Sequence, residues 1–213
     1  DIKMWNSSAA TYVVDATGSL YSQDHAGVDG ELYIFGSYER STGNEYWSYS
    51  TDFDGTSLGG SPRQVDVRFA SGASANITGS QFEILGSPSA TTTIANQGSG
   101  TYTVSAAVST TTFTYYDFDT LGASGVSLSG TGHIASLDLG GFTPGINTGT
   151  GLTVSVALID ANPGLQIYGV DFSTTTVISA TNVTQNGGSP TSYWWFRNSL
   201  GNIDGEAFDS DTG

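Results

Sequence analysis

Short β-type segments return along this chain at intervals of about twenty residues, and this recurrence limits the folds it can adopt. The segments TTTI, TTTF, TGHI, LTV and TTTV carry the apolar anchors Ile94, Phe113, Ile134, Val154 and Val177, spaced 19, 21, 20 and 23 residues apart. A β-type repeat of this length is typical of a solenoid, in which coils stack strand upon strand. The sequence therefore predicts an all-β fold, a parallel β-helix with coils of about twenty residues.

An antiparallel β-sandwich is the alternative fold class, because it also has short strands at regular spacing. The solenoid is favoured because the repeat unit is longer than a hairpin and small residues recur at the same phase after each apolar strand. No heptad or i, i+3, i+4 pattern indicates a helix, and the abundant Thr, Val, Ser and Gly are poor helix formers.

The chain changes character near residue 62. The segments ELYIFGSYE and EYWSYSTDF flank the turn RSTGN, a pattern that predicts a β-hairpin within aromatic-rich residues 1–62. A solenoid needs a cap because its first coil otherwise exposes apolar core and strand edges. We therefore predict an N-terminal cap with a β-hairpin over residues 1–62 and a β-solenoid over residues 63–213.

The charge balance excludes two classes of partner. The formal net charge is −15, with only 5 Lys and Arg residues. Binding to nucleic acid or to an anionic membrane requires clustered basic side chains, so neither partner is expected. No apolar stretch reaches the roughly 18 residues that a membrane-spanning helix needs.

The chain contains no cysteine, which excludes disulfides, thiolate metal sites and thiol catalysis. An acidic, Lys-poor chain rich in Ser, Thr and Gly favours an extracellular or cell-surface location. The sequons at Asn6, Asn76 and Asn182 are candidate glycosylation sites.

From about Val65 onward the chain resembles right-handed parallel β-helix proteins of the pectin-lyase-like kind. It is especially similar to the long, Ser/Thr-rich repetitive surface proteins of uncultured bacteria. The segment SYWWFRNSLGNIDGEAFDSDTG, residues 192–213, resembles a recurring segment of those proteins. This resemblance implies an extracellular, surface-associated protein and carries no established catalytic residues.

Enzymatic function is the less favoured hypothesis. Polygalacturonase-like β-helix enzymes carry a Gly-His-Gly turn and an Arg-Ile-Lys strand, of which only Gly132-His133-Ile134 is partly matched. Asp117 and Asp119 are the best internal carboxylate pair for acid–base cleavage of a glycan. We predict a non-catalytic protein, with a polysaccharide lyase or hydrolase as the alternative.

Calcium is the cofactor that the sequence favours. The C-terminal acidic run offers carboxylates beside glycines that let a loop bend, as a hard cation requires. The candidate ligands are Asp204, Glu206, Asp209 and Asp211, with a weaker candidate pair at Asp52 and Asp54. A solvated acidic loop is the alternative interpretation, because the match to a full EF-hand loop fails.

The run Tyr193-Trp194-Trp195-Phe196 is a candidate interface or glycan site, because aromatic faces stack on sugars and anchor protein interfaces. One alternate pair is expected to fill the core, which leaves the other pair exposed or covered by a partner. The leading hypothesis is a structural surface protein that self-associates into a filament, sheath or surface layer, with calcium as a stabilising ion. A glycan-binding adhesive module is the alternative.

Overall fold

The computed structural model describes residues 65–89, 91–174 and 179–210, together with six strands between residues 2 and 46. The strands are β1 (Ile2–Met4), β2 (Thr11–Val14), β3 (Ser19–Tyr21), β4 (Gly30–Ile34), β5 (Ser37–Arg40), β6 (Asn44–Tyr46), β7 (Val65–Phe69), β8 (Ser74–Ile77), β9 (Gln81–Leu85), β10 (Thr92–Asn96), β11 (Tyr102–Ala106), β12 (Thr110–Thr114), β13 (Tyr116–Leu128), β14 (His133–Asp138), β15 (Gly141–Pro144), β16 (Thr150–Ser155), β17 (Gln166–Tyr168), β18 (Asp171–Phe172), β19 (Thr181–Asn186) and β20 (Trp195–Arg197). One α-helix, α1 (Val156–Ala161), and one 3-10 helix (Glu206–Phe208) complete the described elements.

The described strands stack in parallel, and this arrangement confirms the predicted β-solenoid. The first stack contains β1, β4, β7, β10, the start of β13, β15 and β18. The second contains β2, β5, β8, β11, the end of β13, β16 and β19. The third runs through β3, β6, β9, β12 and β14, and β17 then pairs with β20. An antiparallel sandwich is inconsistent with this pairing.

The predicted hairpin is replaced by parallel stacking. β4 pairs with β1 and β7, β5 pairs with β2 and β8, and β6 pairs with β3 and β9. Glycine and polar turn residues mark a corner between two stacks as readily as a hairpin turn, which explains the error. Strands on both sides of residue 62 share the same stacks, and a capping role for residues 1–62 stays a prediction.

Coils in the first stack are longer than the predicted twenty residues. Thr92 pairs with Tyr116 of the next coil (116 − 92 = 24), and Gly30 pairs with Val65 (65 − 30 = 35). The coil length therefore varies, because loops of different length connect the same three strands.

The apolar anchors that suggested the repeat occupy different stacks. Ile94 lies in β10 of the first stack, Phe113 and Ile134 lie in the third stack, and Val154 lies in β16 of the second. Val177 lies outside the described residues. All four described anchors are buried, although their spacing is not the coil repeat.

A short helix interrupts the strand pattern where none was predicted. Ser155 caps α1, because its side chain accepts a hydrogen bond from the backbone N–H of Leu158 at 3.3 Å. The helix buries Leu158 and Ile159, and six residues are too few to produce a clear helical period. Within the part of the chain described, no helix has the length and apolar character to span a membrane.

Aromatic rings stack along the interior of the first-stack coils. Phe118 and Phe142 have ring centroids 5.6 Å apart and an interplanar angle of 3°, and Phe142 and Phe172 lie 5.8 Å apart at 19°. Phe196 then meets Phe172 edge-on at 5.5 Å. Each such pair adds about 0.5–1.5 kcal/mol beyond the area it buries, so this column couples successive coils.

One corner of the solenoid turns through the left-handed backbone region in successive coils. Tyr115, Leu139, Gly169 and Asn198 directly follow β12, β14, β17 and β20, and their φ angles are 51°, 57°, 65° and 52°. Leu139 N donates to Tyr168 O, and Gly169 N donates to Arg197 O, which links these corners. Glycine and asparagine suit this conformation, whereas leucine and tyrosine adopt it at a cost.

Candidate functional site

The outward face of β17 and β20 carries a pair of exposed aromatic side chains. In the register of these strands Gln166 lies beside Trp195, and Tyr168 lies beside Arg197. Ile167 between them points into the core, so alternation directs Gln166 and Tyr168 outward. We call the four outward residues Gln166, Tyr168, Trp195 and Arg197 the aromatic platform.

The rings of the aromatic platform are accessible but held in position. Trp195 is 51% exposed and Tyr168 is 45% exposed. The Tyr168 hydroxyl donates to Oε1 of Gln166 at 2.6 Å, and Cζ of Arg197 lies 5.1 Å from the centroid of the Trp195 ring. These contacts limit the rotation of both rings, which lowers the entropic cost of binding a ligand.

The run at residues 193–196 alternates between core and surface. Trp194 and Phe196 pack against the hydrophobic core, and the Trp194 indole N–H donates to the carbonyl of Asn162 at 3.1 Å. Tyr193 is 62% exposed, like its neighbour Trp195. The expectation that one alternate pair fills the core and the other is accessible is therefore confirmed.

Polar side chains continue the outward face of the third stack away from the aromatic platform. We call them the polar row: Gln81, Glu83, Thr110, Thr112, Thr114, Ser136 and Asp138. Asp138 joins the polar row to the platform, because its Oδ1 accepts a hydrogen bond from Tyr168 N at 2.7 Å. The outward face of the third stack is thus polar, and the aromatic platform on β17 and β20 adjoins it next to β14.

The predicted calcium loop is fixed to the second stack by side-chain and backbone hydrogen bonds. Asn182 Nδ2 donates to Gly205 O at 2.9 Å, and Ser210 N donates to Val183 O at 3.0 Å. Asp204 and Glu206 are exposed, and Asp209 is half-buried. Among the described residues no three acidic or histidine side chains converge as a metal site.

The remaining metal candidates, Asp211, Asp52 and Asp54, lie outside the described residues. Calcium binding therefore stays a prediction of the sequence. It rests on the residue types in the loop and on their proximity along the chain.

A cavity of about 350 Å³ brings the aromatic run and the acidic loop together. Tyr193, Trp194, Trp195 and Phe196 line it on one side, and Glu206 and Asp209 line it on another. We call it the aromatic cavity. The sequence placed both groups near the C-terminal coil, and the fold makes them walls of one space.

A second groove lies on the outward face of the first stack, around Asp117. Gly141 pairs with Asp117 on one side and Asp171 on the other, so a position without a side chain separates the two carboxylates. Burial is the largest cause of a raised Asp117 pKa, and the charges of Asp119 and Asp171 raise it further. The sequence missed Asp171, because its proximity to Asp117 depends on the coil length.

The three sequons differ in their surroundings. Asn76 is exposed on β8 and its Oδ1 accepts a hydrogen bond from Ser105 Oγ at 3.3 Å. Asn182 is 5% exposed and its amide is bonded to the acidic loop, which leaves no room for a glycan in the folded chain. Asn6 lies outside the described residues. Glycosylation at Asn76 and Asn6 stays a prediction.

Comparison of the chain with protein-family models, with curated proteins and with solved structures found no significant match.

Proposed function

We propose that this protein is a non-catalytic, extracellular scaffold that binds an extended glycan along the outward face of its third stack. The observation that carries the proposal is the pair Tyr168 and Trp195, two accessible rings on adjacent strands of one flat surface. An exposed aromatic pair on a rigid sheet is a surface that a sugar chain can stack on.

The groups around the rings suit a carbohydrate. Gln166 supplies an amide and Arg197 a guanidinium on the same face, and both hydrogen-bond readily to hydroxyl groups. Stacked strands lie about 4.8 Å apart, so the polar row extends the surface in regular steps along the solenoid axis. A flat, repeating surface of this kind favours a linear glycan over a compact ligand.

The position of the carboxylate pair Asp117 and Asp171 favours binding over cleavage. Cleavage by two carboxyl groups requires both to flank the scissile bond, about 5–10 Å apart. Asp117 and Asp171 lie on the first stack, whereas the aromatic platform lies on the third. A sugar stacked on Trp195 therefore lies on different strands from that carboxylate pair.

A glycan array tests the proposal. The wild-type chain should bind a subset of linear glycans, and Trp195→Ala should lose most of that signal. Leu200→Ala is the matched control, because Leu200 is also an exposed apolar residue, at 59%, but lies beyond β20 and outside the platform. Absence of glycan binding by the wild type, with folding verified by circular dichroism, would overturn the proposal.

Self-association is the second candidate function. The exposed large hydrophobic residues of the described chain are Leu139, Tyr168, Tyr193, Trp195 and Leu200, and exposed apolar surface is typical of protein interfaces. Sedimentation velocity in calcium and in a chelator tests both self-association and the predicted calcium dependence. A protein that is monomeric in calcium and in chelator would contradict both self-association and its calcium dependence.

A further inference from the structure

We propose that the aromatic cavity binds an organic cation that carries a quaternary ammonium group. The aromatic cavity shares Trp195 with the aromatic platform and is otherwise lined by different residues. The cavity is bounded by the last described coil and the acidic loop, and the proposal does not depend on glycan binding.

Aromatic side chains form much of the wall of the cavity. Phe172, Tyr193, Trp194, Trp195 and Phe196 all line it. The faces of aromatic rings carry negative electrostatic potential and attract cations within about 6 Å, with tryptophan the strongest. Cζ of Arg197 lies 5.1 Å from the Trp195 ring centroid, so one ring of this set already attracts a cation within the chain.

Two carboxylates also line the cavity. Glu206 and Asp209 line the same cavity, at the two ends of a short turn where Asp209 N donates to Glu206 O at 3.3 Å. That turn is fixed on both sides by Asn182 and Val183 of β19. The backbone of the turn that carries both carboxylates is therefore held at the edge of the cavity.

The residues that line the cavity favour one class of cation over others. A primary ammonium group has three N–H donors that each need an acceptor, and a calcium ion needs several oxygen ligands. A quaternary ammonium group has no donor and few requirements beyond apolar contact, aromatic faces and nearby negative charge. Five aromatic side chains and two carboxylates supply these, beside the polar lining residues Asn182 and Ser199. The net charge of −15 further favours a cation over a neutral or anionic ligand.

Calorimetric titration with choline tests the proposal, with 3,3-dimethyl-1-butanol as the neutral molecule of the same shape. We expect choline to bind at least about tenfold more tightly than the alcohol, since only choline gains the electrostatic contribution. Equal affinity for the two compounds, or no choline binding by a folded protein, would overturn the proposal.

Variants locate the site. In a titration at low ionic strength, Glu206→Gln should weaken choline binding by about three- to tenfold, because it removes one of the two carboxylates that line the cavity. Asp204→Asn is the matched control, since Asp204 is exposed in the same loop but does not line the cavity. If Asp204→Asn weakened binding as much as Glu206→Gln, the effect would be one of overall charge and the site would be wrong.

Two further experiments extend this test. Variant binding distinguishes the cavity from the glycan surface, and vesicle sedimentation identifies the source of the ammonium group. Tyr168→Ala, outside the cavity, should leave choline binding unchanged, and Glu206→Gln should leave glycan binding unchanged. Phosphatidylcholine vesicles that sediment the protein and are displaced by choline would assign the group to a lipid. Vesicle binding that choline does not displace would contradict the proposed site.

Discussion

Asp117 and Gly141 occupy paired positions in adjacent coils, and a Cβ atom built on Gly141 would lie 2.9 Å from Oδ1 of Asp117. The carboxylate of Asp117 therefore lies against Gly141, a position that has no side chain. Burial there raises the pKa of Asp117, and the carboxylates of Asp119 and Asp171 raise it further. The ionised form of Asp117 is therefore less favourable in the folded chain than in the unfolded one.

Asp117→Asn is expected to stabilise the protein at neutral pH. A carboxyl group whose pKa is raised by folding stabilises the fold below its unfolded pKa, and this contribution is lost as the pH rises through the folded pKa. The increase in unfolding free energy caused by Asp117→Asn should therefore be present at pH 7 and vanish near pH 3. Urea unfolding at the two pH values measures it, with Asp204→Asn in the exposed loop as the control. Destabilisation at pH 7 would contradict the account.

Asn162→Ala is expected to cost about 2–4 kcal/mol of unfolding free energy, because it leaves buried backbone groups without partners. The Asn162 side chain accepts from Ile134 N at 2.8 Å and donates to Gly132 O at 2.8 Å and Leu158 O at 3.0 Å. It thereby joins the end of α1 to the preceding coil. Asn76→Ala, at an exposed strand position, should cost less than about 1 kcal/mol in the same denaturant titration. Equal costs would disprove this role.

Gly132→Ala should destabilise the fold by about 1–3 kcal/mol through overpacking. A Cβ at Gly132 would lie 1.9 Å from the carbonyl oxygen of Val108, a backbone atom that cannot turn away. Gly188→Ala meets nothing within 4 Å and serves as the control. Thermal unfolding followed by circular dichroism compares the two variants, and a lower midpoint for Gly188→Ala than for Gly132→Ala would refute the stacking distance between these coils.

Leu139→Asn should raise the midpoint of thermal unfolding by about 1–3 °C. Leu139 adopts a φ of 57°, a conformation that costs an L-residue roughly 1–2 kcal/mol and that asparagine tolerates better. Asn198 and Gly169 occupy the same corner in neighbouring coils. Leu200→Asn, another exposed leucine outside the left-handed region, should give no such gain. A lower midpoint for Leu139→Asn would show that its side-chain contacts outweigh the backbone strain.

The sequence predicted the class of fold because burial depends on local composition. Ile94 and Phe113 lie in β-branched, Thr-rich segments and are both fully buried. Their assignment to one repeated position was wrong, because Ile94 belongs to the first stack and Phe113 to the third. A strand sequence indicates that it is buried but not which of three sides of a coil it forms.

Loop lengths limited the prediction of the site for a related reason. Alternation along residues 193–196 correctly predicted that one alternate pair faces the core, since this requires only the strand period of two. It did not predict which pair, and the structure places Trp194 inward and Trp195 outward. Tyr168 was missed because it joins the platform through pairing with a strand 29 residues later (197 − 168 = 29). This sequence separation is set by the length of the loop between the strands, so no local sequence pattern indicates the pairing.

The most direct test of the glycan-binding surface is a calorimetric titration of the strongest glycan from the array against wild type, Tyr168→Ala, Trp195→Ala and Leu200→Ala. We predict that each platform variant weakens binding about tenfold or more, that Leu200→Ala has little effect, and that longer oligomers bind more tightly to the wild type. Unchanged affinity in both Tyr168→Ala and Trp195→Ala would contradict the proposed function.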